Sequence, residues 1–189
     1  MSTELKTKVA NPGPLGLLGF GMTTVLLNLH NAGLLPLSIA IVSMGIALGG
    51  LAQIIAGIRE LCQGNTFGGT AFTAYGLFWW SLVLIWVNPF QEAGVEAASK
   101  VAMGYYLLLW GIFTAFMYVG TLKHNRATQV VFGSLTILFV LLALGDFTGN
   151  HTITMIAGFE GIVCGLSAIY SAMGQILNAE YGKTVIPLG

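Results

Sequence analysis

Six stretches of this chain, each 16 residues or longer, run almost without a charge. They cover residues 14–29, 36–58, 66–87, 100–122, 127–144 and 153–177. A bilayer core takes about 20 mostly apolar residues of helix to cross. Hydrophobic residues make up 56% of the 189 and charged residues only 7%, where a soluble domain carries about 25% charged residues. So few charges cannot cover a water-facing surface of this size. The runs are continuously apolar rather than alternating, which argues against the strands of a barrel. Helices also satisfy their backbone polar groups within the segment, as lipid demands. The expected fold is all-α and polytopic, with six transmembrane helices in a single domain over residues 1–189. Short loops and tails leave no room for a soluble domain, so function is expected within the lipid bilayer.

Charge placement sets the expected orientation. Lys6, Lys8, Arg59, Lys123, Arg126 and Lys183 fall on the side that holds both termini. Lys100 falls on the other side, with Glu92, Glu96 and Asp146. Cytoplasmic loops carry the excess of Lys and Arg, so both termini are expected in the cytoplasm, in a plasma (cell inner) membrane. Trp86, Tyr105 and Tyr106 then fall near the outer interface, where amphipathic rings sit. Lys+Arg and Asp+Glu are both 7, which leaves no basic face for a nucleic-acid partner. The first residues do not read as a signal peptide, because Pro12 and Pro14 open the apolar run and no small-residue cleavage site follows. Cys62 and Cys164 are too few for a disulfide framework and read as small packing residues. There is no metal spacing, phosphate loop or dinucleotide fingerprint, and no nucleophile beside a base. Neither an enzyme nor a cofactor or metal is expected. Helix ends support the span count. Asn11-Pro12 reads as an N-cap with proline at the first helical position, Asn65-Thr66 offers two capping side chains, and Asp146–Asn150 reads as a turn.

Inside the spans, small and polar residues form faces. Gly45, Gly49, Ala52 and Ala56 make one small-residue stripe, and Gly161, Gly165, Ala168 and Ala172 make another at the same spacing. Such stripes let helices approach closely in a membrane, and they also leave room for a narrow lumen. Span one places Phe20, Thr24, Leu27, Asn28 and Asn31 on one face. Span three does so with Thr66, Thr70 and Thr73, with Tyr75 further round. Span six does so with Glu160, Cys164, Ser167 and Ser171. Hydroxyls often bond their own helix, yet three such faces in one small bundle point to a hydrogen-bonding lumen. Glu160 is the charge well inside a span, and an intramembrane acid is a functional candidate by default. It reads either as a proton-handling group or as an acid bonded to a neighbouring helix. His30 and His151 fall in outer loops and His124 in an inner loop. A lone loop histidine is usually solvated, although His30 beside Asn28 and Asn31 offers a pH-sensitive group.

The run Asn11-Pro12-Gly13-Pro14-Leu15-Gly16-Leu17, followed by Gly19-Phe20-Gly21, resembles the N-P-x-P-L-G-L signature of the acetate uptake transporters. This is the succinate–acetate permease, or YaaH-type, family. Leu27–Asn31, Gly49–Gln53, Gly64–Gly68, Thr70–Thr73, Gly165–Tyr170 and Thr184–Gly189 are similar to the family as well, so the resemblance covers about residues 10 to 189. It implies transport of acetate, and in some members succinate. It implies a homohexamer in which each six-helix subunit has its own pathway. It also implies a constriction of a Phe, a Tyr and a Leu, which fall here on Phe20, Tyr75 and Leu135, with Ala168 near the substrate route. Nothing in spacing or composition singles out Leu135 from its apolar neighbours. Glu160 is not carried by the resemblance.

A Phe–Tyr–Leu ring suits a two-carbon acid. It accepts the methyl end and rejects larger or doubly charged solutes. A tyrosine hydroxyl and residues such as Thr24, Asn28, Thr70, Thr73 and Ser167 are candidates to bond the carboxylate. A bare carboxylate in a dry constriction is costly, so a co-transported proton and acidic outside pH are expected to favour uptake. No Arg or Lys lies well inside a span to hold an anion tightly. Proton symport and channel flow both fit. A channel for small neutral solutes such as urea or amides is the alternative, and a non-transporting scaffold or sensor a third reading.

Overall fold

The computed structural model describes residues 9–189, so Lys6 and Lys8 lie outside the described residues. Six long helices follow one another. They are α1 (Gly13–Asn31), α2 (Ile39–Cys62), α3 (Thr66–Val87), α4 (Lys100–Thr121), α5 (Arg126–Thr148) and α6 (His151–Tyr181). Among the described residues all regular structure is helical. Helices α2 to α6 are each long and apolar enough to cross a membrane. Helix α1 is 19 residues long and is diluted by four early glycines and by Thr23, Thr24 and Asn28.

The runs 14–29, 66–87, 127–144 and 153–177 sit inside these helices, whereas 36–58 starts three residues before α2 and 100–122 ends one residue past α4; the ends differ for local reasons. Helix α5 runs on through Asp146, Phe147 and Thr148, so the expected five-residue turn shrinks to two residues. Thr148 bonds back to the carbonyl of Leu144. Gly149 then takes φ 64°, which suits glycine, and Asn150 caps α6 by accepting from Thr152 N–H. At the other end of the chain, α1 starts one residue later than expected. Pro12 stands at the cap, and the Asn11 side chain still caps by accepting from Gly13 N–H at 2.9 Å. Asn65 caps α3 through Gly68 N–H. Helix α2 continues past Ile58 to Cys62 and therefore contains Glu60. Cys164 is buried as a packing residue should be, whereas Cys62, the last residue of α2, is exposed.

The helices form a ring in the order α3, α2, α1, α6, α5, α4, closed by a light contact between α4 and α3. In lipid no hydrophobic drive separates helix from solvent, so close packing must hold the bundle. Helices α1 and α6 meet backbone to backbone. A Cβ added at Gly165 would stand 2.7 Å from the Gly21 carbonyl oxygen, and one at Gly21 would stand 2.7 Å from that of Gly165. Gly158 abuts the backbone of Ala32, and Gly161 abuts the Asn28 amide. Gly161, Gly165, Ala168 and Ala172 are all buried, as are Gly45, Gly49 and Ala56; Ala52 is half-buried. The first three members of the α2 stripe fall in a π-helical stretch, Gly45–Ala52. This winding leaves carbonyls off the ordinary ladder, and Trp80 of α3 donates its indole N–H to the Ile46 oxygen at 3.0 Å.

Four polar segments gather at one end. Asn11 bonds Gln175, Gln63 bonds the Ala10 carbonyl, and His124 lies 4.8 Å from the Phe67 ring. The C-terminal tail folds back so that Leu188 accepts from Ala127 N–H. Arg59, Lys123, Arg126 and Lys183 belong to these segments.

The α1–α6 contact gives a direct test. Gly165→Val adds an isopropyl group, three carbons, where backbone already touches, and overpacking of this kind costs about 1–3 kcal/mol or more. The variant is expected to melt several degrees lower in detergent, read by tryptophan fluorescence. An unchanged midpoint would show that this contact does not hold the bundle.

Candidate functional site

Three hollows run in series through the ring. The first opens at the end where the polar segments gather, is about 250 Å³, and is lined by Asn11, Glu60, Asn65, His124, Thr128 and Gln175 among others. The second is about 20 Å³ and shares Leu17, Ala71, Phe72 and Phe132 with the first. The third is about 30 Å³ and reaches Thr24, Asn28 and Trp79. The second and third share three residues, Phe20, Tyr75 and Leu135. Those side chains form the wall between them. Each small hollow has room for about one water-sized group, so this conformation is closed at that wall. A larger hollow of about 450 Å³ is a surface pocket made by residues 85–97 and shares no residue with the three.

Each member of the wall is held from behind. Phe20 is buried on α1, with its ring 6.2 Å from that of Tyr75. Tyr75 comes from α3 and also meets Phe132 at 6.2 Å and Phe113 at 5.5 Å. Leu135 comes from α5 and is 3% exposed. The Tyr75 hydroxyl lies 2.9 Å from Thr114 Oγ1 on α4. Thr114 donates its one hydroxyl proton to the Trp110 carbonyl at 2.7 Å. The Tyr75 hydroxyl must therefore be the donor to Thr114, and it has no proton left for a solute. The expectation that this hydroxyl donates to a carboxylate is corrected on that ground.

The polar groups at the wall come from elsewhere. Thr24 Oγ1 is buried without a hydrogen-bond partner among the described residues and lines the third hollow. Asn28 lines it too, holding one amide hydrogen on the Thr24 carbonyl at 2.9 Å. On the other side, Gln53 of α2 lines the second hollow and is fully buried, and neither its Oε1 nor its Nε2 has a partner among the described residues. The sequence reading gave Gln53 no role. The signal was available: Gln53 is the one amide side chain in span two, whose other polar side chains are Ser38 and Ser43.

The other sequence candidates lie away from these linings. Thr70 is on the exposed side of α3, and Thr73 is half-buried against Gly57 of α2. The face drawn through Thr66, Thr70 and Thr73 therefore points away from Tyr75. Ser167 donates to the Cys164 carbonyl of its own helix. Ala168 is fully buried outside the three linings. Glu160 is half-buried, with Oε2 lacking a partner among the described residues, and it too is outside the three linings. It sits one turn before Cys164, whose thiol points at the Val131 carbonyl of α5.

A second buried acid, absent from the expected sites, lines the large hollow. Glu60 is 5% exposed and accepts from Asn65 Nδ2 through Oε2. Its carboxyl lies against Gly68 and Gly13, at the starts of α3 and α1. Helix N-termini hold negative charge well. A span two read as 36–58 stops short of Glu60, which the structure carries on the last turns of α2.

Comparison with known proteins bears on this arrangement. The model of the GPR1/FUN34/yaaH family matches residues 1–188. The succinate-acetate/proton symporter SatP of Escherichia coli K12 is 56% identical over 183 residues, covering 97% of each chain. Acetate permease A of Emericella nidulans is 33% identical over 198 residues, covering 96% of this chain and 66% of its own. A solved structure, that of the bacterial acetate channel SatP, superposes with a TM-score of 0.93 at 55% identity, covering 96% of this chain and 100% of the other. These relatives are transporters and channels rather than enzymes. The signature at Asn11–Leu17, the ring of helices and the match along the whole chain agree, and the chain belongs to the GPR1/FUN34/yaaH family.

Proposed function

We propose that this protein carries acetate, and with it other short carboxylates such as succinate, across the plasma membrane through the three hollows described. Both termini lie in the cytoplasm, so the large hollow with Glu60 and His124 is the inner vestibule. The exposed faces of the helices are apolar, as at Leu109, Phe116 and Val163, which suits lipid and neighbouring subunits. The assembly is a homohexamer with one pathway per subunit, an inference drawn from the family. The observation that carries the transport reading is the shared wall of Phe20, Tyr75 and Leu135, with a polar side chain on each side and, among the described residues, no Asp, Glu, Lys or Arg in either small hollow. A narrow apolar ring passes a methyl group, and weak polar stations let the solute leave again.

The test is uptake of labelled acetate into vesicles containing only this protein, with membrane potential clamped. Uptake above protein-free vesicles supports the reading. Its absence, together with urea or acetamide flux that acetate does not inhibit, would put the neutral-solute channel in its place.

Two variants probe the pathway. Leu135→Ala widens the wall and is expected to admit a larger acid such as lactate, raising lactate uptake relative to acetate about tenfold, a change of about 1.4 kcal/mol in barrier. Unaltered selectivity would remove Leu135 from the filter. The proton-handling reading of Glu160 rests on its burial, yet the residue stands outside the three linings. Glu160→Gln is therefore expected to keep the pH profile of uptake. A flattened profile between pH 5 and 7 would assign proton handling to Glu160 after all.

A further inference from the structure

We infer that Gln53 is a solute-binding residue, and that it selects the neutral carboxylic acid over the carboxylate at the inner face of the wall. This deepens the acetate-transport reading and rests on it. Two independent observations meet at the residue. A hollow lies directly behind Phe20, Tyr75 and Leu135, and Gln53 lines it. The same side chain is fully buried with both amide atoms lacking a partner among the described residues. Buried polar atoms are nearly always paired, and each exception calls for an explanation.

The amide edge carries one acceptor, Oε1, beside a donor, Nε2–H. A neutral carboxylic acid carries the complementary edge. Its carbonyl oxygen accepts from Nε2–H while its O–H donates to Oε1, so two hydrogen bonds close a ring and both orphan atoms are satisfied. A carboxylate has acceptors only. It would leave Oε1 unpaired and bring a second negative oxygen towards it, with no cation to compensate.

The surroundings reinforce this choice. The rest of the lining is apolar or aromatic, from Leu17 and Ala71 to Phe132. The titratable group among the lining residues is Tyr75, whose proton is committed to Thr114. Glu60 of α2 and His124 of the α4–α5 loop face the neighbouring vestibule, and no Asp, Glu, Lys or Arg from any helix lines the hollow at Gln53. Gln53 is also held in place. Its Cγ sits 3.0 Å from where a Cβ on Gly19 would stand, and it follows directly on the π-helical stretch of α2.

The proton therefore crosses on the solute itself. One acetate and one proton move together and no net charge crosses, without any titrating side chain in the constriction. A passive pathway of this kind produces acetate–proton cotransport whenever a pH gradient is imposed.

The experiment uses the wild-type protein in vesicles, with total acetate fixed, pH varied from 5 to 7, and potential set independently. An ordinary carboxylic acid titrates at about pH 4–5. Protein-dependent flux is expected to fall about tenfold per pH unit, to ignore potential, and to acidify the lumen one proton per acetate. Flux that follows the anion concentration, or that shifts with potential, would overturn the inference while leaving acetate transport intact. No flux above protein-free vesicles would overturn the transport reading and this inference with it. Gln53→Met keeps the volume and removes both hydrogen-bonding atoms. It is expected to lower acetate flux at least tenfold at pH 5 and to abolish inhibition by acetamide, a neutral molecule with the same paired edge. Wild-type flux with undiminished acetamide inhibition in Gln53→Met would show that Gln53 binds nothing. If the variant fails to fold, the wild-type pH and potential series decides alone.

Discussion

The bundle depends on backbone meeting backbone between α1 and α6. Lipid supplies no hydrophobic drive between helices, so dispersion across a close contact has to hold them. Gly21 and Gly165 face each other with no space for a Cβ on either, and Gly158 and Gly161 extend the contact towards Ala32 and Asn28. This seats α1 deep in the ring. Phe20, the neighbour of Gly21, then projects inward to meet Tyr75. Any widening of the α1–α6 contact would withdraw Phe20 from the wall. The signature at the head of α1 thus serves packing as much as chemistry. Gly16 yields to the Phe72 ring, and Gly19 yields to the Leu48 carbonyl and Gln53.

The wall itself is apolar on every side, and its one hydroxyl is turned outward. The chain from Tyr75 to Thr114 to the Trp110 carbonyl consumes each hydroxyl proton in turn. Tyr75 is thereby fixed as a ring with a locked tip. What remains for a solute is Thr24 on one side and Gln53 on the other, both buried and unpaired among the described residues. A low-dielectric passage with weak neutral stations favours a solute that arrives neutral. On this reading the distinction between a proton symporter and a channel narrows, because the proton travels as part of the substrate.

The large hollow has a different character. Glu60 is held by Asn65, the residue that also caps α3, and its carboxyl rests near the first turns of two helices. An acid so placed links the α2–α3 loop to the start of α1.

The helical class, five of the spans, their approximate ends and the small-residue stripes were legible in the sequence. Each follows from a property read along one segment: continuous apolarity, the spacing of small residues, a capping asparagine. Phe20, Tyr75 and Leu135 were legible only through likeness to a family, because periodicity cannot rank Leu135 above Leu138 when both face inward. Thr70 and Ser167 are ambiguous for the same reason. A hydroxyl in an apolar helix signals either a lumen or its own backbone, and the segment alone cannot say which. What the sequence determined by itself is that this chain must live in lipid, as helices, with almost no charge to spare for the interior. The tertiary structure decided which polar atoms are already satisfied. Tyr75 finds Thr114 across the ring, Glu60 finds Asn65 round the loop, and Gln53 finds no partner among the described residues. Pairing is a property of two segments brought together, so no reading along one segment could have supplied it.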